Sequence, residues 1–275
     1  MSQAKRVPEL GEIQETLLIP LYARAVETRK RRGMLSDPRA VEMVEALDYD
    51  FARFDGARSL LGSNLRTLLF DAWVRDFIER HPSGTVVEIG TGLNTRFERL
   101  DNGTVHWFDL DLPDVIDLRR GFFEDTGRRR MVASSVTDPG WLEAVADSPG
   151  PYFLVAEAVL IYLNERDVRS VFELIAGRIP GANLALETAT GHMVADQDGH
   201  DVLRLMAARM RWRCDDPCEI ETWRDGISLL DSRTFLSLPD PVRRDLSRSY
   251  RLMLRTVGTI KRKEMESYHF NLFRL

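Results

Sequence analysis

Residues 85–113, TVVEIGTGLNTRFERLDNGTVHWFDLDLP, constrain the fold more than any other part of the chain. A short β-rich run passes through Glu88 to Gly90-Thr91-Gly92, followed by a brief helical stretch, a second β-rich run and the acids Asp109 and Asp111. Glycines at such a turn let backbone approach a ligand where a Cβ would collide with it. An acid at the end of the following strand accepts hydrogen bonds from both hydroxyls of a ribose. A dinucleotide site wants a third glycine at position 95, to pack helix on strand beside a pyrophosphate. Thr95 and Arg96 stand there instead, and Glu88, two residues before Gly90, would repel a pyrophosphate. These residues favour S-adenosylmethionine (SAM), whose amino-acid end is cationic, over NAD. The plainer alternative is a strand, turn and helix with chance glycines.

The βα texture continues downstream. Runs of β-forming residues at 85–90, 104–110, 130–134, 152–156 and 183–187 alternate with helical segments near 94–100, 113–123, 139–146, 164–178 and 199–212. Asn164 and Asp138 are placed as N-caps, the latter ahead of Pro139. Such alternation means βαβ units, a parallel α/β sheet and ligand binding at the carboxyl ends of the strands. Upstream, residues 12–80 read as helices, with Leu17, Leu18, Leu21 and Ala25, then Leu65, Leu68, Leu69, Ala72, Trp73 and Phe77, at helical spacing. At the far end, 227–230 and 269–275 read as strands and 241–257 as a helix. A late hairpin closing a five-strand parallel core makes seven strands, the arrangement of class I methyltransferases. No repeat or linker marks a boundary, so the expected organisation is a helical cap over 1–82 on a catalytic core over 83–275.

Composition narrows the partners. The 275 residues carry 38 Lys and Arg against 43 Asp and Glu, a net charge of −5, which excludes a non-specific nucleic-acid binder with a basic face. No apolar stretch approaches the roughly 20 residues of a membrane span, and the first 20 residues lack a signal-peptide core. A cytoplasmic protein with a small-molecule partner is expected, with no nucleic acid and no membrane; oligomeric state is left open. Cys214 and Cys218 form C-x3-C without the second pair a structural zinc needs, so reduced thiols and no metal are expected.

Five stretches, ETLLIPLYARAVETR, VVEIGTGLNTR, WFDLDLPDVIDLRR, MVASSVTD and VAEAVLIYL, run in order over residues 14–190, and the chain ends in FNLFRL. Together they resemble the leucine carboxyl methyltransferase family, in its bacterial branch of polyketide O-methyltransferases. The resemblance implies a SAM-dependent O-methyltransferase in which Gly90 and Gly92 shape the cofactor turn and Asp111 holds the ribose. It puts Ser135 and Val136 beside the adenine, although the family carries an acid where Ser135 stands. Glu157 matches the acid at the end of the fourth strand, Arg66 an arginine for the methionyl carboxylate, and Arg24 a companion. Glu88 and Arg96 complete the expected cofactor set, and Asp109 is read as an exposed neighbour.

The bland readings differ in strength. Without the resemblance, Arg66 reads as a solvated helix residue near Phe70 and Asp71, and Arg96 reads equally as an ion-pair partner of Glu88 or Asp111. Glu157 interrupts the apolar run PYFLVAEAVLIYL, and a buried carboxylate without a partner costs several kcal/mol or takes up a proton.

Methyl transfer from a sulfonium needs alignment more than covalent assistance. A carboxylate acceptor is ionised near neutral pH and needs no base, whereas a phenol of pKa about 10 benefits from one. His192, past the fifth strand, is the expected base and Tyr162 the expected hydrogen-bonding partner. His200 is assigned to the surface, and Met193, Leu203, Met206 and Met210 to the core face of a helix. Tyr22 and Leu18 are expected to cover the substrate. The leading expectation is carboxylate methylation of a small, polyketide-like natural product. Phenolic or enolic O-methylation and a catalytically silent SAM-fold partner protein are the alternatives.

Overall fold

The structure, a computed structural model, describes residues 5–275; residues 1–4 of the expected cap lie outside the described residues. A seven-stranded sheet organises it, in the order β3-β2-β1-β4-β5-β7-β6. The strands are β1 (Thr85–Ile89), β2 (His106–Asp111), β3 (Arg129–Ala133), β4 (Tyr152–Ala156), β5 (Asn183–Ala189), β6 (Ser228–Arg233) and β7 (Tyr268–Arg274). The first five pair in parallel, and β7 runs antiparallel between β5 and β6. Sequential strands diverge on either side of β1 and β4, which opens a crevice at their carboxyl ends.

Strand alternation divides the core in two. Val86, Phe153, Val155, Ala185 and Phe270 face helix α3 (Ser59–Arg80), which supplies Leu65, Leu69, Trp73 and Phe77. Val87, Ile89, Leu154, Leu184, Leu186 and Phe273 face α6 (Gly140–Ala146) and α7 (Glu165–Arg178). The Asn164 side chain caps α7 by accepting the Asp167 N–H at 3.0 Å. A third cluster joins α1 (Leu18–Thr28) and α2 (Pro38–Ala46) to Leu93, Leu118 and Met206 across the top of the crevice. Short helices α4 (Arg96–Leu100) and α5 (Pro113–Arg119) follow β1 and β2, and α8 (Gly191–Ala195) follows β5. No helix among the described residues is long and apolar enough to cross a membrane.

Two expected helices take other forms. Residues 199–212 contain only the 3-10 turn Leu203–Leu205 followed by an extended strap. Met206, Ala208, Met210, Trp212 and Cys214 are buried while Ala207, Arg209, Arg211 and Arg213 are exposed. That period of two is the signature of extended chain, not helix. The strap is held where the Arg211 N–H donates to Ile161 O at 2.8 Å and the Cys214 N–H to Ala189 O at 2.9 Å. The helix over 241–257 is two, α9 (Asp240–Asp245) and α10 (Arg248–Ile260), separated at Ser247, whose hydroxyl caps α10. A last helix, α11 (Arg262–Glu266), leads into β7, and Cys214 and Cys218 are free thiols.

Candidate active site

The turn after β1 is fixed from both sides. Gly90 and Gly92 have φ of 62° and 51°, in the left-handed region. A Cβ on Gly90 would lie 2.2 Å from Val159 Cγ2, so that position admits only glycine. Arg119 holds the turn from below, donating through one nitrogen to the carbonyls of Gly92 and Asn94, each at 2.9 Å. With its carbonyls tied inward, the turn aims the Gly92 N–H at Asp111 Oδ2, 2.7 Å away; the Leu112 N–H donates to Oδ1 at 2.8 Å. Asp111 has no arginine in contact among the described residues, and burial pushes its carboxyl up to about 6 against those two donors.

Asp109, two residues earlier on β2, is wholly buried and not an exposed neighbour. It accepts from Arg129 Nε at 2.6 Å, Arg119 Nη2 at 3.1 Å, Thr91 Oγ1 at 3.0 Å and Trp107 Nε1 at 3.2 Å. Arg119 therefore connects Asp109 to the glycine turn, and Asp109 does not line the cavity beside it.

A cavity of about 360 Å³ opens between the turn and α1. Gly90, Gly92, Asp111, Ser135 and Val136 line one end, with Leu17 and Pro20 above them. Arg24 also lines it, although its Nε is paired with Asp37 at 2.8 Å and its Nη2 donates to Leu93 O at 2.8 Å, fastening α1 to the turn. Tyr22 and Leu18, the expected cover, do not line it; Leu18 is buried in the helix cluster and the Tyr22 hydroxyl donates to Asp55.

Glu88 and Arg96 lie one layer below the cavity and do not line it. Arg96 is fully buried and binds three carboxylates, Asp71 at 2.7 Å, Glu88 and Glu157. It thereby joins α3, β1 and the loop after β4 through one guanidinium. Burial pushes Glu88 up to about 7 against the pull of Arg96, and its Oε2 has no hydrogen-bond partner. Glu157 lines the cavity wall, and the buried acid finds its cations within the chain. Burial would raise it, but Arg96 and Arg66 hold it down at about 2. Arg66 Nε lies 3.0 Å from Glu157 Oε1 and 3.3 Å from Glu187 Oε1, and Thr67 Oγ1 donates to Glu157 at 3.0 Å. Arg66 is thus neither solvated nor bound to Asp71, and it borders the cavity.

Glu187 was not singled out in the sequence, yet it sets the loop after β4. Ala158 has φ of 57°, the one non-glycine residue with positive φ among those described. Both oxygens of Glu187 accept its N–H, at 3.0 and 2.9 Å, and hold a conformation that costs about 1–2 kcal/mol. The signal was present: Glu187 interrupts the apolar strand NLALETA as Glu157 interrupts its own. Burial pushes Glu187 up to about 7 against Arg66.

The opposite end of the cavity is lined by Tyr162, His200, Met193, Met210, Tyr268 and Phe235. His192 is exposed and outside this set, while His200, expected at the surface, faces the cavity. The missing helix explains the exchange, because the strap brings back His200, Leu203 and Met210 where a helix would have carried them away. The Leu203 N–H donates to His200 Nδ1 at 3.3 Å, so the neutral ring carries its proton on Nε2; burial lowers the His200 pKa and favours that neutral form. Burial raises the phenols of Tyr162 and Tyr268, which stay protonated donors.

Comparison with known proteins agrees with this geometry. The family model for leucine carboxyl methyltransferase matches residues 18–176. The tetracenomycin polyketide synthesis O-methyltransferase TcmP of Streptomyces glaucescens is 31% identical over 232 residues, 84% of this chain and 86% of that one. The S-adenosyl-L-methionine-dependent methyltransferase dpfgK of Gibberella zeae is 27% identical, over 78% and 79% of the two chains. Among solved structures, the plantazolicin methyltransferase BamL in complex with a triazolic desmethylPZN analog and SAH (S-adenosylhomocysteine) superposes with a TM-score of 0.53 at 9% identity, covering 95% of this chain and 97% of that one. With the class I sheet and its glycine turn, these likenesses establish that the chain belongs to the leucine carboxyl methyltransferase family and is a SAM-dependent methyltransferase.

Proposed function

We propose that this SAM-dependent O-methyltransferase delivers its methyl group to a carboxylate of a small, polyketide-like aromatic compound. One observation carries the choice of acceptor: among the described residues, the substrate end of the cavity presents donors, and the carboxylates near it are all engaged. Tyr162 and Tyr268 are protonated, His200 offers Nε2–H, and Glu157 and Glu187 are committed to Arg66, Arg96 and the Ala158 N–H. A carboxylate arrives ionised and needs orientation alone, which donors supply. A phenol would arrive with a proton to lose, and among the described residues only His200 could take it, by giving up the Leu203 N–H and turning its free nitrogen to the acceptor.

The residues present fit the cofactor. The two lone pairs left on Asp111 suit a ribose diol, and Ser135 and Val136 suit an adenine edge. Arg66 and Arg24 suit the cofactor's carboxylate, with Glu88 and Arg96 setting Glu157 from behind. SAM, when bound, supplies an activated methyl on its sulfonium. The chain's part is to fix the turn, exclude water beneath α1 and hold the acceptor oxygen in line. Of the expected cap, the segment Gln14–Thr28 acts in this reading as the cover of that chamber, and the relatives' names suggest natural-product biosynthesis as its setting.

The acceptor class is tested by incubating the enzyme and methyl-labelled SAM with aromatic carboxylic acids and with phenols of the same ring size. A methyl ester releases its label as methanol in mild alkali, and an aryl ether does not. Alkali-labile product from the acids supports the reading; label found only in alkali-stable product overturns it in favour of phenolic methylation.

A further inference from the structure

A second cavity, of about 500 Å³, lies between the start of the β6–β7 connection and helices α9 and α10. Its floor is apolar, from Phe235, Leu238, Leu246 and Leu254, and its rim carries Arg243, Arg244, Arg251 and Arg255. Arg243 is paired with Asp240 at 3.1 Å, and Asp240 is the one carboxylate that lines the cavity. Arg244, Arg251 and Arg255 make no side-chain hydrogen bond or ion pair among the described residues. The surrounding connection, 234–267, holds eight Lys and Arg against four Asp and Glu, in a chain whose net charge is −5. Like charges gathered over an apolar floor repel one another and are held together by the fold, an arrangement that an anionic group on an apolar body would relieve.

This cavity is not isolated from the proposed acceptor site. Phe235 lines both, its ring packing against Tyr268 at 6.2 Å and Phe270 at 4.9 Å between ring centres. Phe235 therefore borders both the end of the chamber with Tyr162 and His200 and the cavity with the arginines.

We propose that the arginine-rimmed cavity is a distal subsite of the acceptor, which binds a second acidic group on an elongated aromatic molecule whose first carboxylate is methylated beyond Phe235. The inference rests on the carboxylate reading above, and it narrows the substrate class from aromatic acids to aromatic compounds acidic at both ends. Specificity then comes from a clamp at each end, with Phe235 stacking on the ring system between them.

The test uses the full chain saturated with SAH and measures, by calorimetry, the binding of terephthalate, naphthalene-2,6-dicarboxylate, biphenyl-4,4′-dicarboxylate and stilbene-4,4′-dicarboxylate beside the matching monoacids. At the length that spans both sites, the diacid is expected to bind at least about tenfold tighter than its monoacid. That advantage is expected to vanish in the double variant Arg251→Ala/Arg255→Ala and in Arg244→Ala/Arg255→Ala, with SAH affinity unchanged. Equal binding of diacids and monoacids at every length, or an advantage that survives both double variants, overturns the proposal. A wild-type chain that binds none of the probes also overturns it, whereas failure to bind SAH, or alkali-stable product, overturns the methyltransferase or carboxylate reading instead.

Discussion

Asp109 and Asp111 stand two residues apart on the same strand and do opposite things. Asp109 is enclosed by Arg119, Arg129, Thr91 and Trp107, and its charge is spent on holding the glycine turn. Asp111 is met only by two backbone N–H groups and borders the cavity. The same contrast recurs between the compensated network around Arg96, below the cavity, and the donors at the cavity's substrate end. A carboxylate surrounded by guanidinium groups builds the site; one left with backbone donors alone has capacity for a ligand. Charge by itself does not separate the two, and compensation does.

The contrast is broken most severely at Arg96. Arg96→Met leaves Glu88 without a cation and takes one of two arginines from Asp71 and from Glu157, and removing one partner of a buried ion pair costs about 3–5 kcal/mol. A fall in melting temperature of about 10 °C or more is expected by scanning calorimetry. Asp109→Asn is expected to lower it by a similar amount, because two buried arginines lose their shared partner. Asp111→Ala is expected to do the reverse, weakening SAM about 100-fold through loss of charged hydrogen bonds while shifting the melting temperature by less than about 3 °C. A large stability loss in Asp111→Ala with unchanged affinity would erase the distinction.

Acid separates the two regions with opposite signs. Glu88 and Glu187, pushed up to about 7, bind more protons folded than unfolded. The stability this linkage contributes is present below the unfolded value near 4.3 and is lost as pH rises through about 7. The ligand-free protein should therefore melt higher at pH 5 than at pH 8. Glu157, held at about 2, has the opposite sign: its contribution is present above about 4.3 and is lost as pH falls toward 2. SAM affinity should fall below about pH 6 as Asp111 takes up a proton. Melting curves and titrations across one pH series read both trends, and a parallel fall in both on acidification would contradict this assignment.

The smallest effect is expected at the substrate end. His200→Ala is expected to lower kcat/KM for the acceptor about tenfold, the worth of one oriented hydrogen bond, with SAH affinity intact. His192→Ala should leave both unchanged, since the side chain lies outside the cavity.

The parallel core, the glycine turn and the late hairpin are legible because each follows from local chemistry: short β-rich runs between helical segments, paired glycines and an alternating apolar end. The choice of residues facing the cavity is less so. His192 and His200 exchange places because a helix over 199–212 would carry His200 outward, whereas Met206, Ala208, Met210, Trp212 and Cys214 alternate with exposed residues in an extended strap. Glu88 and Arg96 read either as ligand contacts or as a pair, and they do pair with each other, but the further partners of Arg96, Asp71 and Glu157, are distant in sequence. Arg119 reads as one more arginine in a chain rich in them, and nothing local to DLRR marks the carbonyls it would find.

The central claim is that the crevice beside Gly92 and Asp111 holds SAM through the uncompensated acid. Calorimetric titration of the wild-type chain and of Asp111→Ala with SAH tests it most directly. One site per chain with micromolar affinity is expected in the wild type, weakened about 100-fold by the substitution. No binding at about 50 μM SAH, or equal affinity in the two proteins, would contradict it.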